Sequence, residues 1–252
     1  MSRALSGYAA LALAFLHGPL AVLILFSFNS SRFTVWEGFS MRWYAAAAHD
    51  PQLSEGLVNS VIIALAAALL STAIGTLAAY GVWRRADRAL SGSLYLSLVT
   101  PEIVTGVSLL ALFQWAFRFL HLRLGLWTVI IAHVAFSIAY VAIVISARLR
   151  SYDRTLEEAA MDLGAGEWHA FTRVTLPALA PAIAAAGLLA LVVSFDDYVI
   201  TSLVAGVDSQ TLPMVIYAMA RRGVSPVVNA VSALIVVAFG VIIIVSQRLQ
   251  QK

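Results

Sequence analysis

The chain contains no cysteine, which excludes disulfide staples, thiol nucleophiles and cysteine-based metal sites. Charge is scarce too: 12% of residues are Asp, Glu, Lys or Arg, against roughly 25% in an ordinary soluble domain. No Gly-x-x-x-x-Gly-Lys-Ser/Thr run is present to cradle phosphates, so the chain is not expected to hydrolyse ATP itself. His17, His49, His121, His133 and His169 are scattered without metal-ligand spacing, and no nucleophile–base pair stands out, so neither a catalytic nor a metal site is expected. Basic residues interleaved with aromatics are missing as well, which argues against nucleic acid as a partner.

What the sequence has instead is apolar length. At 61% hydrophobic it cannot cover a globule with polar side chains, so part of its solvent must be lipid. A spanning helix needs about 20 mostly apolar residues at roughly 1.5 Å each. Six stretches qualify: Tyr8–Phe28, Leu57–Val82, Leu94–Phe117, Leu126–Ala147, Ala178–Val199 and Val227–Val245. They lack the period-2 alternation of a membrane barrel, and backbone groups in hydrocarbon must bond within their own segment. The expected fold class is therefore all-α and integral to the membrane, with six transmembrane helices. The first run is longer than the 7–15 residues or so of a signal-peptide core and is read as retained. Residues 1–252 are read as one transmembrane domain: an N-terminal helix and outer loop over 1–56, a core over 57–246, and within it a long charged loop over 148–177.

Orientation follows from basic residues in the short loops. With both termini cytoplasmic, the inner face carries Arg3, Arg84, Arg85, Arg88, Arg148, Arg150, Arg154, Arg173, Arg248 and Lys252. The outer face carries Arg32, Arg42, Arg118, Arg123, Arg221 and Arg222. That bias places the 148–177 loop in the cytoplasm and makes Arg84–Arg88 a tight inner turn. In the outer loop Asn29–Gly56, Trp36, Trp43 and Tyr44 are expected to anchor at the membrane interface. Pro101 invites a kink in the third span, and Pro177 and Pro181 suit the first turn of the fifth.

The inner loop has more order than a tether needs. Ser151–Leu163 has the composition of a short helix, Gly164 is where it can stop, and Glu167–Val174 suits a second helix. Small alanines would let such a knuckle enter a partner's groove, with Glu158 fixing register through charge. The spacing Glu158-Ala159-Ala160, three residues, Gly164, nine residues, then Val174-Thr175-Leu176-Pro177 resembles the EAA loop of ABC importer permeases. Valine replaces a residue that is often isoleucine there, which keeps the chemistry. The resemblance implies a type I importer permease fold in a bacterial inner membrane. It also implies ATPase-coupling roles for Glu158, Ala159, Ala160, Gly164, Leu176 and Pro177. The implied partners are a homologous permease, two ATPase subunits that hold ATP and Mg²⁺, and an external solute-binding protein. In such a machine, closure of the ATPase dimer pulls on the loop and rocks the helices.

Three carboxylates fall inside apolar spans: Glu102, Asp196 and Asp197. An acid at the centre of a spanning helix costs about 2.5–3.5 kcal/mol on insertion scales and should face a polar interior or a partner. Glu102 is expected near mid-membrane, roughly 18 Å along its helix, and Asp196 about 28 Å along the fifth. They bond backbone at helix breaks, sit protonated, pair with an arginine such as Arg118, or line a cation pathway with Phe195 and Tyr198. Neighbours on a helix point about 100° apart, so one of Asp196 and Asp197 faces a pathway squarely and the other packs on a neighbouring helix. His133, alone among apolar residues, is expected to be a hydrogen-bonded packing residue.

A narrower resemblance uses the same residues. Asn29-Ser30-Ser31 with Trp36, Arg42-Trp43-Tyr44, Pro101–Gly106, Ala132-His133-Val134 and Ser194–Asp197 together look like the putrescine/spermidine permeases, most of all the second, shorter permease type of putrescine systems. Glu102 stands where that group is expected to have aspartate. The resemblance implies a polyamine substrate; carboxylates alone fit other cations. The competing readings are an importer of the same build for an aminophosphonate, amino acid or metal, then a self-sufficient secondary transporter, and last a membrane enzyme.

Overall fold

The computed structural model describes residues 3–33, 35–85, 88–120, 123–223 and 225–250. Ala86 and Asp87 of the expected inner turn, His121 and Lys252 lie outside the described residues. In chain order the helices are α1 (Arg3–Ser27), α2 (Arg42–Ala48), α3 (Pro51–Arg85), α4 (Arg88–Val99), α5 (Glu102–Leu120), α6 (Leu126–Leu149), α7 (Thr155–Asp162) and α8 (Glu167–Ala170). A π-turn over Phe171–Thr175 leads to α9 (Leu176–Asp196), α10 (Val199–Val204), α11 (Leu212–Arg221) and α12 (Pro226–Gln250). Among the described residues the only pairing of extended chain is an isolated antiparallel bridge, Asn29 to Phe39. The fold is all-helical.

Among the described residues five helical segments are long and apolar enough to cross a membrane: Leu5–Ser27, Pro51–Arg85, Glu102–Phe119, Leu126–Leu149 and Glu167–Asp196. The sixth expected run falls in α12, whose apolar part is described as Pro226–Val241. At 35 residues α3 is about 52 Å long, well beyond the roughly 30 Å of hydrocarbon, so one or both of its ends project past the lipid. Its last turn carries Arg84 and Arg85, suited to the negative end of the helix dipole.

Two spans differ from expectation. The run Leu94–Phe117 is broken rather than kinked, because Pro101 lacks an N–H and bars Thr100 from helical backbone. Thr100 closes α4 instead, its N–H and hydroxyl both donating to the Leu96 carbonyl at 3.1 and 2.9 Å. Glu102 consequently opens α5 and does not sit in mid-helix. The fifth span starts earlier and stops sooner than Ala178–Val199. One helical run extends from Glu167 to Asp196, with Pro177 following the π-turn that accommodates its missing N–H and Pro181 inside the helix. It ends where Asp197 turns to extended backbone at φ −66° and ψ 125°.

The chain divides into two compact units, 1–54 with 215–252, and 55–214. In the second, Ala68, Ala79, Val141, Ala142, Ile145, Leu149, Leu179, Ala186 and Ala190 form a core where α3, α6 and α9 meet. Small residues permit the approach: a Cβ on Gly75 would lie 2.7 Å from Val141 Cγ1, and one on Gly187 3.1 Å from Thr72 Oγ1. A second core joins Ile63 and Phe113 to Val129, Ile130, Ala132, Ile200 and Val204 of α6 and α10.

In the first unit, α1 and α2 pack on α12. The loop after α1 is organised by Asn29, 1% exposed, whose Oδ1 accepts from the Ser31 and Glu37 N–H groups at 3.2 and 3.0 Å. Its amide donates to the carbonyls of Phe33 and Val35 at 3.3 and 2.8 Å. Trp43, expected as an interfacial anchor, is instead buried, and its Nε1–H donates to the Asn29 carbonyl at 2.7 Å. Tyr44 is likewise tied inward, 2.6 Å from the Ser27 hydroxyl. Trp36 stays partly exposed, edge-on to Phe26.

Candidate functional site

Two helix breaks in the second unit border one cavity. Its volume is about 530 Å³. Its walls come from the end of α4 and start of α5 (Ser97–Glu102, Thr105), from Phe136 and Tyr140 of α6, and from Val192, Val193 and Asp196–Ile200 around the end of α9. Among the described residues no Lys, Arg or His lines it, whereas Glu102, Asp196 and Asp197 all do. An open cavity with carboxylates, aromatic faces and no basic group favours a cation over an anion.

The two adjacent aspartates do different work. Asp196 ends α9 with its side chain exposed. Asp197 has a side chain only 6% exposed and acts as a cap for α10. Its Oδ2 accepts the Thr201 N–H at 2.8 Å and the Thr201 hydroxyl at 2.7 Å, and its Oδ1 lies 3.4 Å from the Ile200 N–H. Those orphan donors at a helix start are what a carboxylate satisfies best.

Behind the cap lies His133, fully buried on α6. Its Nδ1 is 2.7 Å from Ser194 Oγ, and its Nε2 is 2.9 Å from Thr201 Oγ1 and 3.4 Å from Asp197 Oδ2. With the Thr201 proton given to Asp197, Thr201 Oγ1 is free to accept from His133 Nε2–H, while the Ser194 hydroxyl donates to Nδ1. His133 is thus a hydrogen-bonded packing residue, and it pins α6 to both sides of the α9–α10 break. Of the pathway candidates, Glu102, Asp196, Asp197 and Tyr198 meet at the cavity; Phe195 is not among its lining residues. Close approach of α5 and α10 depends on Gly106, where a Cβ would come within 2.6 Å of Leu203 Cδ1.

The charged loop folds as a helical knuckle. Asp153 Oδ1 accepts from the Thr155 N–H and hydroxyl at 3.0 and 2.8 Å and starts α7. The helix closes in a Schellman motif: Ala165 N–H donates to Ala160 O at 3.1 Å and Gly164 N–H to Met161 O at 2.9 Å. Gly164 has φ +93°, a left-handed conformation that only glycine adopts cheaply, so the glycine of the spacing has a structural reason. After Gly166, α8 and the π-turn run without interruption into α9, so Leu176 and Pro177 sit inside one helical run and not at a junction between two.

The outward side of the knuckle is apolar as well as charged. Leu163 is 90% exposed, Trp168 65% and Leu156 52%, beside exposed Ala159 and a half-buried Ala160. Glu158 is exposed and pairs locally with Arg154, which precedes α7, at 3.3 Å, and such a surface pair contributes little to stability.

The inward acid is Glu157, 3% exposed, a residue the spacing did not single out. It accepts from Tyr80 Oη at 2.5 Å, Arg84 Nη1 at 2.6 Å and Thr175 Oγ1 at 3.2 Å. Two of its partners are 73 and 77 residues away in α3, beyond what local spacing reveals. The available signal was Tyr80 and Arg84 at i and i+4, a polar face closing an apolar helix.

Known proteins resemble this chain over most of its length. The profile of the family described as "Binding-protein-dependent transport system inner membrane component" matches residues 71–252. The chain is 41% identical over 239 residues to the putrescine transport system permease protein PotI of Escherichia coli K12, covering 92% of this chain and 85% of that one. It is 37% identical over 243 residues to the spermidine/putrescine transport system permease protein PotC of Haemophilus influenzae, covering 95% and 93%. Among solved structures, a chain of a bacterial ABC transporter that imports alginate superposes with a TM-score of 0.70 at 17% identity, covering 98% of each chain. A chain of the MetNI methionine ABC transporter does so at 0.61 and 19% identity, covering 79% of this chain and 97% of that one. These two likenesses concern the fold alone.

Proposed function

This chain belongs to the family of binding-protein-dependent transport system inner membrane components, a multi-pass protein of the inner membrane, and from that premise we propose that it is the permease subunit of an ATP-driven importer of polyamines. The observation that carries the substrate class is the cavity between the two helix breaks: Glu102 and Asp196 on its wall, Tyr140, Tyr198 and Phe136 around them, and no basic side chain. A flexible dication gives up hydration to enter a low-dielectric passage, and paired carboxylates and aromatic faces replace part of it. Asp197 holds the break open from behind and Asp196 meets the passing ammonium. Affinity here is weak, since a deep well would retain the substrate, and selection falls mainly to an external solute-binding protein.

The remaining parts follow the same premise. The six spans form one transmembrane domain with both termini cytoplasmic, an N-terminal helix and outer loop over 1–56, a core over 57–246 and a coupling loop over 148–177. A homologous permease completes the passage as a heterodimer. Two ATPase subunits, which hold the ATP and Mg²⁺ that this chain has no phosphate loop to bind, receive the knuckle of each permease. Glu158, Ala159, Ala160 and Gly164 shape that contact, with Leu176 and Pro177 carrying its motion into α9. Exposed Leu163 and Trp168 supply the apolar surface that such docking buries.

The test is uptake of radiolabelled putrescine and spermidine into proteoliposomes holding this chain, its partner permease, the ATPase subunits and the binding protein. The reading expects accumulation that needs ATP and every component. Accumulation by this chain alone, or without ATP, would sink it.

A further inference from the structure

Glu157 and Glu158 are adjacent, yet one is sealed inside and the other lies in solvent. The buried acid is not isolated. Arg84, at the end of α3, places Nη1 2.6 Å from Glu157 Oε1 and Nη2 3.0 Å from Glu167 Oε1, so one guanidinium fork spans from α7 to α8. Between those two helices stand Gly164 and Gly166, which offer no side chain to fix the angle of the knuckle. The fork does what the turn does not. Its two arms are unequal: Glu167 is 77% exposed and its pair is screened by water, whereas Glu157 is enclosed by Tyr80, Thr175 and the guanidinium.

The same residues join the knuckle to α3. The Tyr80 ring lies 4.4 Å from that of Phe171 in the π-turn, Trp83 meets Tyr152 edge-on at 5.9 Å, and the Arg154 guanidinium sits 5.6 Å over Trp83. Besides the short link over 150–154 from α6, the knuckle therefore reaches the spanning helices by the continuous helical run into α9 and by the Arg84 cluster into α3.

We propose that Arg84 is a positioning residue that sets the angle between α7 and α8 through Glu157 and Glu167, and thereby delivers motion of the knuckle to α3 as well as to α9. This rests on the reading of the knuckle as the ATPase contact. Planar, two-pronged geometry is essential to it, and a lysine keeps the charge while losing the fork.

The experiment uses the assembled complex in proteoliposomes with Arg84→Gln, Arg84→Lys and Glu157→Gln in this chain. Three quantities are read: ATPase subunit retained, ATP hydrolysed, and substrate moved per ATP. The expected result is retained ATPase and continued hydrolysis, with transport per ATP lower by about fivefold or more, the lower bound of ordinary coupling energies, in Arg84→Gln, and a smaller loss in Arg84→Lys. Because the chain has no cysteine, spin labels on Arg85→Cys and Asp162→Cys report the α3–knuckle distance directly. One narrow distance, unchanged by ATP, is expected with Arg84 present, and a broad one in Arg84→Gln. Undiminished transport per ATP in an assembled Arg84→Lys or Arg84→Gln complex, or an unchanged distance distribution, overturns the proposal. Failure of the unaltered complex to retain an ATPase subunit would instead overturn the docking reading beneath it.

Discussion

His133 Nε2 lies 3.4 Å from Asp197 Oδ2 and 2.9 Å from Thr201 Oγ1, joining α6 to the cap of α10 just behind the cavity wall. Every polar atom of this group has a partner, and such a network is unforgiving when one member is removed. His133→Ala strands Ser194 and part of Asp197 and opens a cavity. The expected loss is about 2–3 kcal/mol, read as a lower thermal midpoint of the purified complex.

The neighbouring aspartates separate stability from transport. Asp196→Asn should leave the thermal midpoint within error, because that side chain is exposed, while lowering the maximal rate of putrescine uptake. Asp197→Ala removes a helix cap and should cost about 1–2 kcal/mol of stability before any effect on transport is read. Measuring both quantities in both variants checks the division, and equal effects would contradict it.

Gly164 stands at φ +93°, where a β-branched side chain is strained. Gly164→Val should cost about 1–2 kcal/mol locally, disturb the Schellman turn and abolish uptake while the subunit still inserts. Membrane content by immunoblot beside uptake makes the comparison.

Leu163 is 90% exposed and touches little in its own chain. Leu163→Asp should therefore leave the stability of the subunit within about 0.5 kcal/mol, as surface substitutions do, yet reduce the ATPase subunit that co-purifies with it. Full recovery of the ATPase with the variant would remove Leu163 from the contact.

At Gly106 a side chain would collide with Leu203 across the α5–α10 contact. Gly106→Val should lower stability by about 1–3 kcal/mol through overpacking and move the cavity's two walls apart. Thermal unfolding with parallel uptake measurements checks it.

Helical class, the approximate runs and the knuckle were legible because each rests on local pattern: apolar length, alanine-rich composition, and a glycine where a helix must stop. The inequality of Asp196 and Asp197 is expected from the roughly 100° step of a continuous helix, but its cause is different: the helix ends at Asp196, and Asp197 is extended and caps α10. What sequence could not show was set by distant partners. Glu157 and Glu158 are alike as letters, and only the position of Arg84 and Tyr80, more than seventy residues away, decides which one is buried. Trp43 read as an interfacial anchor because its own segment is aromatic-rich, but the Asn29 carbonyl draws it inward. Pro101 announced a disturbance without saying whether the helix bends or breaks. The break moved Glu102 from the middle of a span to the start of α5, where the helix dipole favours a carboxylate.

The most direct measurement is ATP-driven putrescine uptake by proteoliposomes containing the full complex, with the double variant Glu102→Gln/Asp196→Asn against the unaltered chain, and ATP hydrolysis read in the same vesicles. The double variant should assemble and hydrolyse ATP while putrescine accumulation is lost. Equal accumulation by an assembled double variant would contradict this, because the cation would then cross without two of the three carboxylates that line the cavity.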